Sequence, residues 1–420
     1  MNIIYIVQAN SWNLNAGTPI IANQYALLAK SKNFNVCVVT PTNNKENFYK
    51  ILKKNDILYY SVPSITEWRL NGFNEKKNII DEDLKLPFKP DLIHIIDWLH
   101  FDSQFLYSIS NLKVPIIRHY CAFEDFCYFV HPIYKKKDNS LCNFKLNADI
   151  CSDCISENIF KKYKFLKRVK SFLLNEKKKN LQMLKIKLKD RVRIANSHID
   201  NIYNHLIFPS KSFADYFFTH AKATKPYSVI PHGIKINKII NKKSSKETFN
   251  IIYTGGYAYR KGWEIVEKSF DKLLRKYPNK IKLRIYGDKN KVQKSKLGKF
   301  NNIEFFDHFN HNEIKSVLSW ADIGILPSLF ETYGTIIREY LSFNVIPVVS
   351  NFFGANDIIK NNENGIILQK NCFEDLVFSV EKILNNKEFT NKLKKNIFET
   401  KIISEDEEFD KINEIYNLYK

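Results

Sequence analysis

Short apolar runs rich in Ile, Val and Tyr recur along the chain, and between them apolar residues return every three or four positions. The runs at 2–8, 35–40, 57–62, 91–96, 114–119, 205–209 and 227–231 predict one series of strands. Those at 250–254, 282–286, 303–306, 322–326, 345–350 and 365–368 predict a second. Near-continuous apolar strands separated by helical patterns form parallel sheets covered on both faces. The chain is therefore expected to be α/β, with two doubly wound, Rossmann-like domains. Their boundary falls by a Lys/Asn/Ser-rich stretch at 234–247 that lacks periodicity, giving domains of 1–230 and 231–403. No internal repeat suggests a solenoid. In 404–420, Ser404 and Glu407 form a capping box, and Phe409, Ile412, Tyr416 and Tyr419 share one helical face. That terminal helix must bury its apolar face, and the first domain is an available partner.

Length and composition agree with this reading. At 420 residues the chain exceeds one ordinary core. No apolar run reaches the roughly 18 residues of a spanning helix. The opening Met1 to Gln8 lacks a basic start and a small-residue cleavage site, so it reads as a strand and the chain is expected in the cytoplasm. Seven cysteines, an odd number, fit a reducing compartment better than a disulfide framework. The net charge of +21 points to anionic partners, although Lys enrichment runs through the whole chain.

Glycine is scarce, and its distribution locates the demanding backbone. Ten of the 12 glycines lie between Gly233 and Gly365, in the second domain. The segment 327–340 contains Glu331, Tyr333, Gly334, Thr335 and Glu339, and it passes from a strand into a helix. Free N–H groups around Gly334 and Thr335, aided by the helix dipole, suit a phosphate. Glu339 lies about five residues into that helix, roughly 7–8 Å beyond its start. Two staggered carboxylates can accept hydroxyls from a sugar and from a ribose, although exposed helix carboxylates produce the same pattern. The segment 253–263 places Gly255, Gly256, Arg260 and Lys261 after another strand. It reads as a phosphate clamp or as a solvated basic turn.

With these motifs the chain resembles the retaining GT-B glycosyltransferases of family four over nearly its whole length. Glu331 and Glu339 are similar to the family's Glu-x7-Glu element, and Lys261 to its phosphate-binding lysine. The run 230–234 resembles Ile-Pro-Asn-Gly-Val, and 353–359 resembles Gly-Gly-x-x-Glu-Ile-Ile, with Asp357 in place of Glu. Gly256 stands where the family usually has an arginine, for which Arg260 is the nearby substitute. In the first domain Gly17, followed by Thr18 and Pro19, is a thin version of the family's glycine loop.

The resemblance implies two Rossmann-like domains facing across a cleft. It further implies transfer of a sugar, with retention, from a nucleotide-diphosphate sugar. Glu331 would contact that sugar and Glu339 the ribose. Lys261 and the N–H groups near Tyr333, Gly334 and Thr335 would stabilise the departing diphosphate. No cofactor and no catalytic divalent metal are then required. A family histidine that contacts the donor sugar corresponds to His119, whereas counting back from Cys127 puts it at Cys121. His94 and Asp97 resemble a strand end facing the cleft, and a structural histidine fits the same pattern.

Two features of the first domain stand apart, within a Cys-containing loop and basic helical segment at 121–192. Cys127, Cys142, Cys151 and Cys154 fall within 28 residues and can hold a structural zinc or be plain thiols. Residues 156–191 carry 13 Lys or Arg against three acids, with Ile159, Tyr163, Leu166, Val169 and Leu173 at helical spacing. This suits an ordinary packed helix or an anionic lipid surface. A glycan or lipid-linked acceptor of the cell envelope is therefore expected, reached peripherally at the inner membrane face. A sugar-nucleotide epimerase shares the fold. A nucleic-acid-binding protein is suggested by charge alone and lacks a recognition motif.

Overall fold

The computed structural model describes all residues except 9–16, 66–68, 70–71, 74, 76–85, 130–132, 135–139, 143–147, 162–171, 223 and 237–247. For 133–134, 140–141, 156–161, 172–181 and 311 it describes the backbone alone. The basic positions Lys162, Lys164, Lys167 and Arg168, and the apolar positions Tyr163, Leu166 and Val169, thus lie outside the described residues, as does most of the 234–247 stretch. The side chains of Ile159, Lys161 and Leu173 are likewise outside them.

The chain divides into two compact units. The first comprises Met1–Pro209, Ala214–Ile230 and Phe409–Lys420; the second comprises Ser210–Phe213 and Pro231–Glu408.

The first unit holds strands β1 (Asn2–Ile6), β2 (Asn35–Thr42), β3 (Ile51–Lys54), β4 (Ile57–Pro63), β5 (Leu92–Ile95), β6 (Ile116–His119), β7 (Ile133–Tyr134), β8 (Ser140–Leu141), β9 (His205–Phe208) and β10 (Tyr227–Val229). Eight of them form one sheet in the order β10-β9-β6-β5-β1-β2-β4-β3, while β7 and β8 form a separate hairpin. The large sheet is parallel apart from β3, which runs antiparallel to β4 at the edge. The central strands are buried on both faces, as in the fully buried Ile3–Ile6 stretch. Helix Thr18–Ser31 packs Tyr25, Ala26 and Ala29 into this core, and Phe409, Ile412, Ile415 and Tyr416 of helix Glu405–Leu418 join the same cluster.

The second unit holds β11 (Phe249–Tyr253), β12 (Ile281–Tyr286), β13 (Ile303–Phe306), β14 (Ile323–Leu326), β15 (Ile346–Ser350) and β16 (Ile366–Leu368). The sheet is wholly parallel, in the order β13-β12-β11-β14-β15-β16. Successive strands step outward from β11 in one direction and then resume from β14 on its other side. The strand order therefore reverses between β11 and β14, and the loops leaving their carboxyl ends diverge to leave a crevice. Helix Trp263–Lys276 buries Val266, Phe270, Leu273 and Leu274 against the sheet while its charged face stays outward.

Candidate functional site

The crevice in the second unit is built from the loops after β11 and β14. Adjacent pairing of these strands, with Tyr253 beside Ile325, brings the two loops together. The Leu329 N–H donates to the Arg260 carbonyl at 2.8 Å, which ties one loop to the other. Gly262 has φ +79°, and an added Cβ there would collide with the Pro327 carbonyl. The turn that sets Arg260 and Lys261 therefore depends on glycine.

Three donors converge on Glu331 Oε1. Lys261 Nζ lies at 2.6 Å, Ser328 Oγ at 3.0 Å and Arg260 Nη1 at 3.2 Å, and Arg260 Nη1 also donates to the Phe330 carbonyl at 3.1 Å. The Glu331 side chain is 12% exposed, against 28% for Lys261 and 31% for Arg260. Burial pushes its pKa upward, but the charges of Lys261 and Arg260 outweigh burial and hold it below the ordinary value. Arg260 thus points at the same carboxylate as Lys261, four residues after Gly256, and supplies a second positive charge to the cluster.

Helix Thr335–Ser342 opens immediately beyond. Gly334 caps it with φ +69° and no side-chain cap hydrogen bond, so the first-turn N–H groups have no such partner at the cap. A Cβ at Gly334 would come within 2.7 Å of the Phe352 ring. Tyr333 is buried with its ring beneath Arg338, whose guanidinium carbon is 3.2 Å from the ring centroid. Its hydroxyl donates to the His232 carbonyl at 3.2 Å, so only its backbone is placed to serve a ligand. His232 and the Gly233 N–H are in turn held by the buried carboxylate of Glu408, at 2.9 and 2.8 Å. Glu339 lies on the same helix, and burial raises its pKa to about 7. Gly256, with φ +58°, donates its N–H to the Tyr286 carbonyl at 3.0 Å, which turns the loop over the end of β12.

The structure therefore gathers Glu331, Lys261, Arg260, Gly334, Thr335, Glu339 and Gly256 in one unit. Gly17 and His119 belong to the other. Gly17 has φ +73° at the start of helix Thr18–Ser31, with open space where a Cβ would stand. Asp97 accepts from the Gln8 N–H at 2.7 Å and from the Thr18 hydroxyl, fixing that helix start. Burial, then the charge of Glu124, raises the Asp97 pKa to about 7. His119 is fully buried at the end of β6 and stacks on His94 and Tyr25, with ring centroids 5.7 and 5.9 Å apart. His94 is held neutral by burial, its pKa lowered to about 3, and Tyr416 lies 2.6 Å from its Nδ1.

Sequence reasoning missed Ser328, Asn371 and Arg338. Ser328 shares Glu331 Oε1, and its carbonyl accepts from Asn371 Nδ2 at 3.4 Å. A small polar residue directly after an apolar strand and before an acid is a weak signal; the partnership with Asn371 has no local signal at all.

Compared with known proteins, the class is set first by the fold. The chain superposes over 99% of its length on 98% of sucrose-phosphate synthase from Thermosynechococcus elongatus, with a TM-score of 0.69 at 14% identity. It matches Anabaena HepE in complex with UDP-glucose over 100% of both chains, with a TM-score of 0.63 at 13% identity. Its fold is GT-B. Residues 235–400, which contain the whole cluster described above, match the family model for glycosyl transferases group 1. An uncharacterized glycosyltransferase of Methanocaldococcus jannaschii is 26% identical over 156 residues, covering 36% of this chain and 40% of the relative. The Escherichia coli UDP-Gal:alpha-D-GlcNAc-diphosphoundecaprenol alpha-1,3-galactosyltransferase is 29% identical over 76 residues, covering 18% and 20%. These matches span less than half the length of either relative. Among the described residues no helix is long and apolar enough to cross a membrane.

Proposed function

We propose that the chain is a glycosyltransferase that moves a sugar from a nucleotide-diphosphate donor to an acceptor, with retention and without a catalytic metal. The observation that carries this reading is the convergence of Lys261 and Arg260 on Glu331 beside the start of helix Thr335–Ser342. Chemistry at an anomeric carbon expels a diphosphate, and negative charge grows on the leaving oxygen. Two cations and a row of helix N–H groups, already oriented, stabilise that charge without reorganising. Metal ions do the same work elsewhere, so this cluster makes one dispensable. Glu331, kept ionised by its partners, accepts hydroxyls of the transferred sugar, and Glu339 accepts those of the ribose.

A lipid-linked or cell-envelope glycan is the acceptor we favour, met at an anionic membrane face by a cytoplasmic enzyme. The supports are the basic residues between 156 and 191, apart from the buried Arg191, and the relative whose name specifies a diphosphoundecaprenol-linked acceptor. Each Lys or Arg near an anionic surface contributes about 1 kcal/mol, screened by salt.

The test uses the full chain with a panel of nucleotide sugars, with and without lipid-linked acceptor, in EDTA. Sugar should appear on the acceptor and diphosphate nucleotide in solution. Conversion of the nucleotide sugar without acceptor would make the protein an epimerase, and activity restored only by a divalent ion would overturn metal independence. Sedimentation with anionic vesicles should show salt-sensitive binding, lost when Lys161, Lys162, Lys164, Lys167 and Arg168 become Gln. Equal recovery with neutral vesicles would remove the membrane from the proposal.

A further inference from the structure

Cys127, Cys142, Cys151 and Cys154 line one cavity of about 60 Å³ in the first unit, together with Tyr216 and Arg191. They arrive there from three separate segments. Cys127 ends the loop that follows β6, where its N–H donates to the Phe123 carbonyl at 2.9 Å. Cys142 directly follows β8, and its carbonyl accepts from the Tyr216 hydroxyl at 2.5 Å. Cys151 and Cys154 are three residues apart in helix Ala148–Lys161, so they share one face across one turn.

We propose that these four cysteines bind a structural zinc ion as thiolates. Four sulfur ligands with no water or carboxylate among them select a soft tetrahedral ion and leave no open position for catalysis. Among the described residues no three of the sulfurs lie mutually within 4.8 Å. The ion must therefore draw them inward to about 2.3 Å each, and the cavity is the space into which they close. A tetrathiolate zinc carries two net negative charges. Arg191, buried on the cavity wall, supplies an adjacent cation and also binds the ligand loop through the Glu124 carbonyl and, at 3.4 Å, the Cys127 carbonyl. His220 Nδ1 lies 2.7 Å from Thr219 Oγ1 and 3.0 Å from the Tyr216 carbonyl, and the four cysteines are the ligand set we assign. The function follows from the chain between Cys127 and Cys151. Among its described residues, the regular structure before helix Ala148–Lys161 is a hairpin with two residues in each strand, and an isolated two-stranded hairpin is marginally stable by itself. Crosslinking its ends through a metal would fix it to the sheet, as in small domains that fold on zinc.

The full chain, purified without chelator, should contain about one zinc per molecule, and so should Cys372→Ser in the other unit. Cys151→Ser combined with Cys154→Ser should lose the metal. Chelation should lower the melting temperature of the wild type and leave that of the double variant unchanged. Cobalt in the wild type should give the intense visible bands of a tetrahedral thiolate site, a measurement that needs no variant to fold. Wild-type protein free of zinc with a melting temperature indifferent to chelator would overturn the proposal. So would zinc retained by the double variant, a brown protein containing iron, or an octahedral cobalt spectrum.

Discussion

At the scale of residues, the second unit sets two carboxylates in opposite electrostatic states. Glu331 is surrounded by donors and stays ionised, while Glu339 is raised to about 7 by burial. A carboxylate accepts hydroxyl hydrogen bonds best when ionised, the state that the proposed ribose role of Glu339 calls for. Donor affinity should therefore rise between pH 6 and pH 8, as Glu339 loses its proton, and level off above. The same shift acts on stability with the opposite sign. The folded chain holds a proton that the unfolded chain releases between the ordinary value of 4.5 and about 7, so this group's contribution falls as pH rises through that window. Glu339→Gln should weaken donor binding by about 1–3 kcal/mol and flatten both dependences. Calorimetry at three pH values and thermal melts across the same range check this; an unchanged pH profile in the variant would remove Glu339 from the ribose. If Lys261 neutralises the departing diphosphate as proposed, Lys261→Ala should reduce kcat by about a hundred- to a thousandfold with a smaller change in KM, since that charge develops in the transition state. Steady-state kinetics at saturating donor would show this. A variant with a raised KM and unaltered kcat would give Lys261 a ground-state role only.

Elements explain why those side chains meet. Strands β11 and β14 are neighbours in the sheet although 69 residues lie between Tyr253 and Ile323; Ile251 pairs with Ile323 and Tyr253 with Ile325. Their loops are joined by the Leu329 to Arg260 hydrogen bond and by the close passage of Gly262 against Pro327. Gly262→Ala should therefore destabilise the second unit by more than about 1 kcal/mol, since both its positive φ and its lack of Cβ are required. Activity should fall with it, because Lys261 is the preceding residue. Thermal melting compared with Gly17→Ala is the check: Gly17 also has positive φ but open space around it, so its variant should lose only the conformational part. Equal losses would mean that the Pro327 contact adds nothing.

For the molecule as a whole, the last residues of the chain complete the core of the first unit. Tyr416 is fully buried, with its hydroxyl 2.6 Å from His94 Nδ1 and 3.2 Å from the Tyr5 hydroxyl. Tyr416→Ala removes a large aromatic from a closed interior and strands polar partners there, so a loss of about 3–5 kcal/mol is expected. Denaturant unfolding of the full chain should show it as a lower midpoint for the transition that includes the first unit. Tyr416→Phe, which keeps the volume, should recover most of it. No recovery would put the effect in the hydroxyl network and not in packing.

The sequence by itself determined the elements and the chemistry available at their ends. Each of the thirteen apolar runs coincides with a strand to within a few residues, because burial on both faces of a parallel sheet demands an uninterrupted apolar run that local composition records. The exceptions follow from the same physics. Strand β3, Ile-Leu-Lys-Lys, is exposed at every position at the sheet edge and so carries no pattern of burial, and β7 and β8 are too short to show a period. Positions needing glycine were legible from scarcity, and the Glu331 to Glu339 spacing from its place after a strand. Tertiary structure alone decided that Arg260 turns to Glu331, that Ser328 joins it, that Tyr333 is spent on packing, and that burial raises Glu339. It also decided that four cysteines from three segments face one cavity. These depend on sheet order and on which loops become neighbours, and local periodicity carries no record of residues brought together from distant parts of a chain.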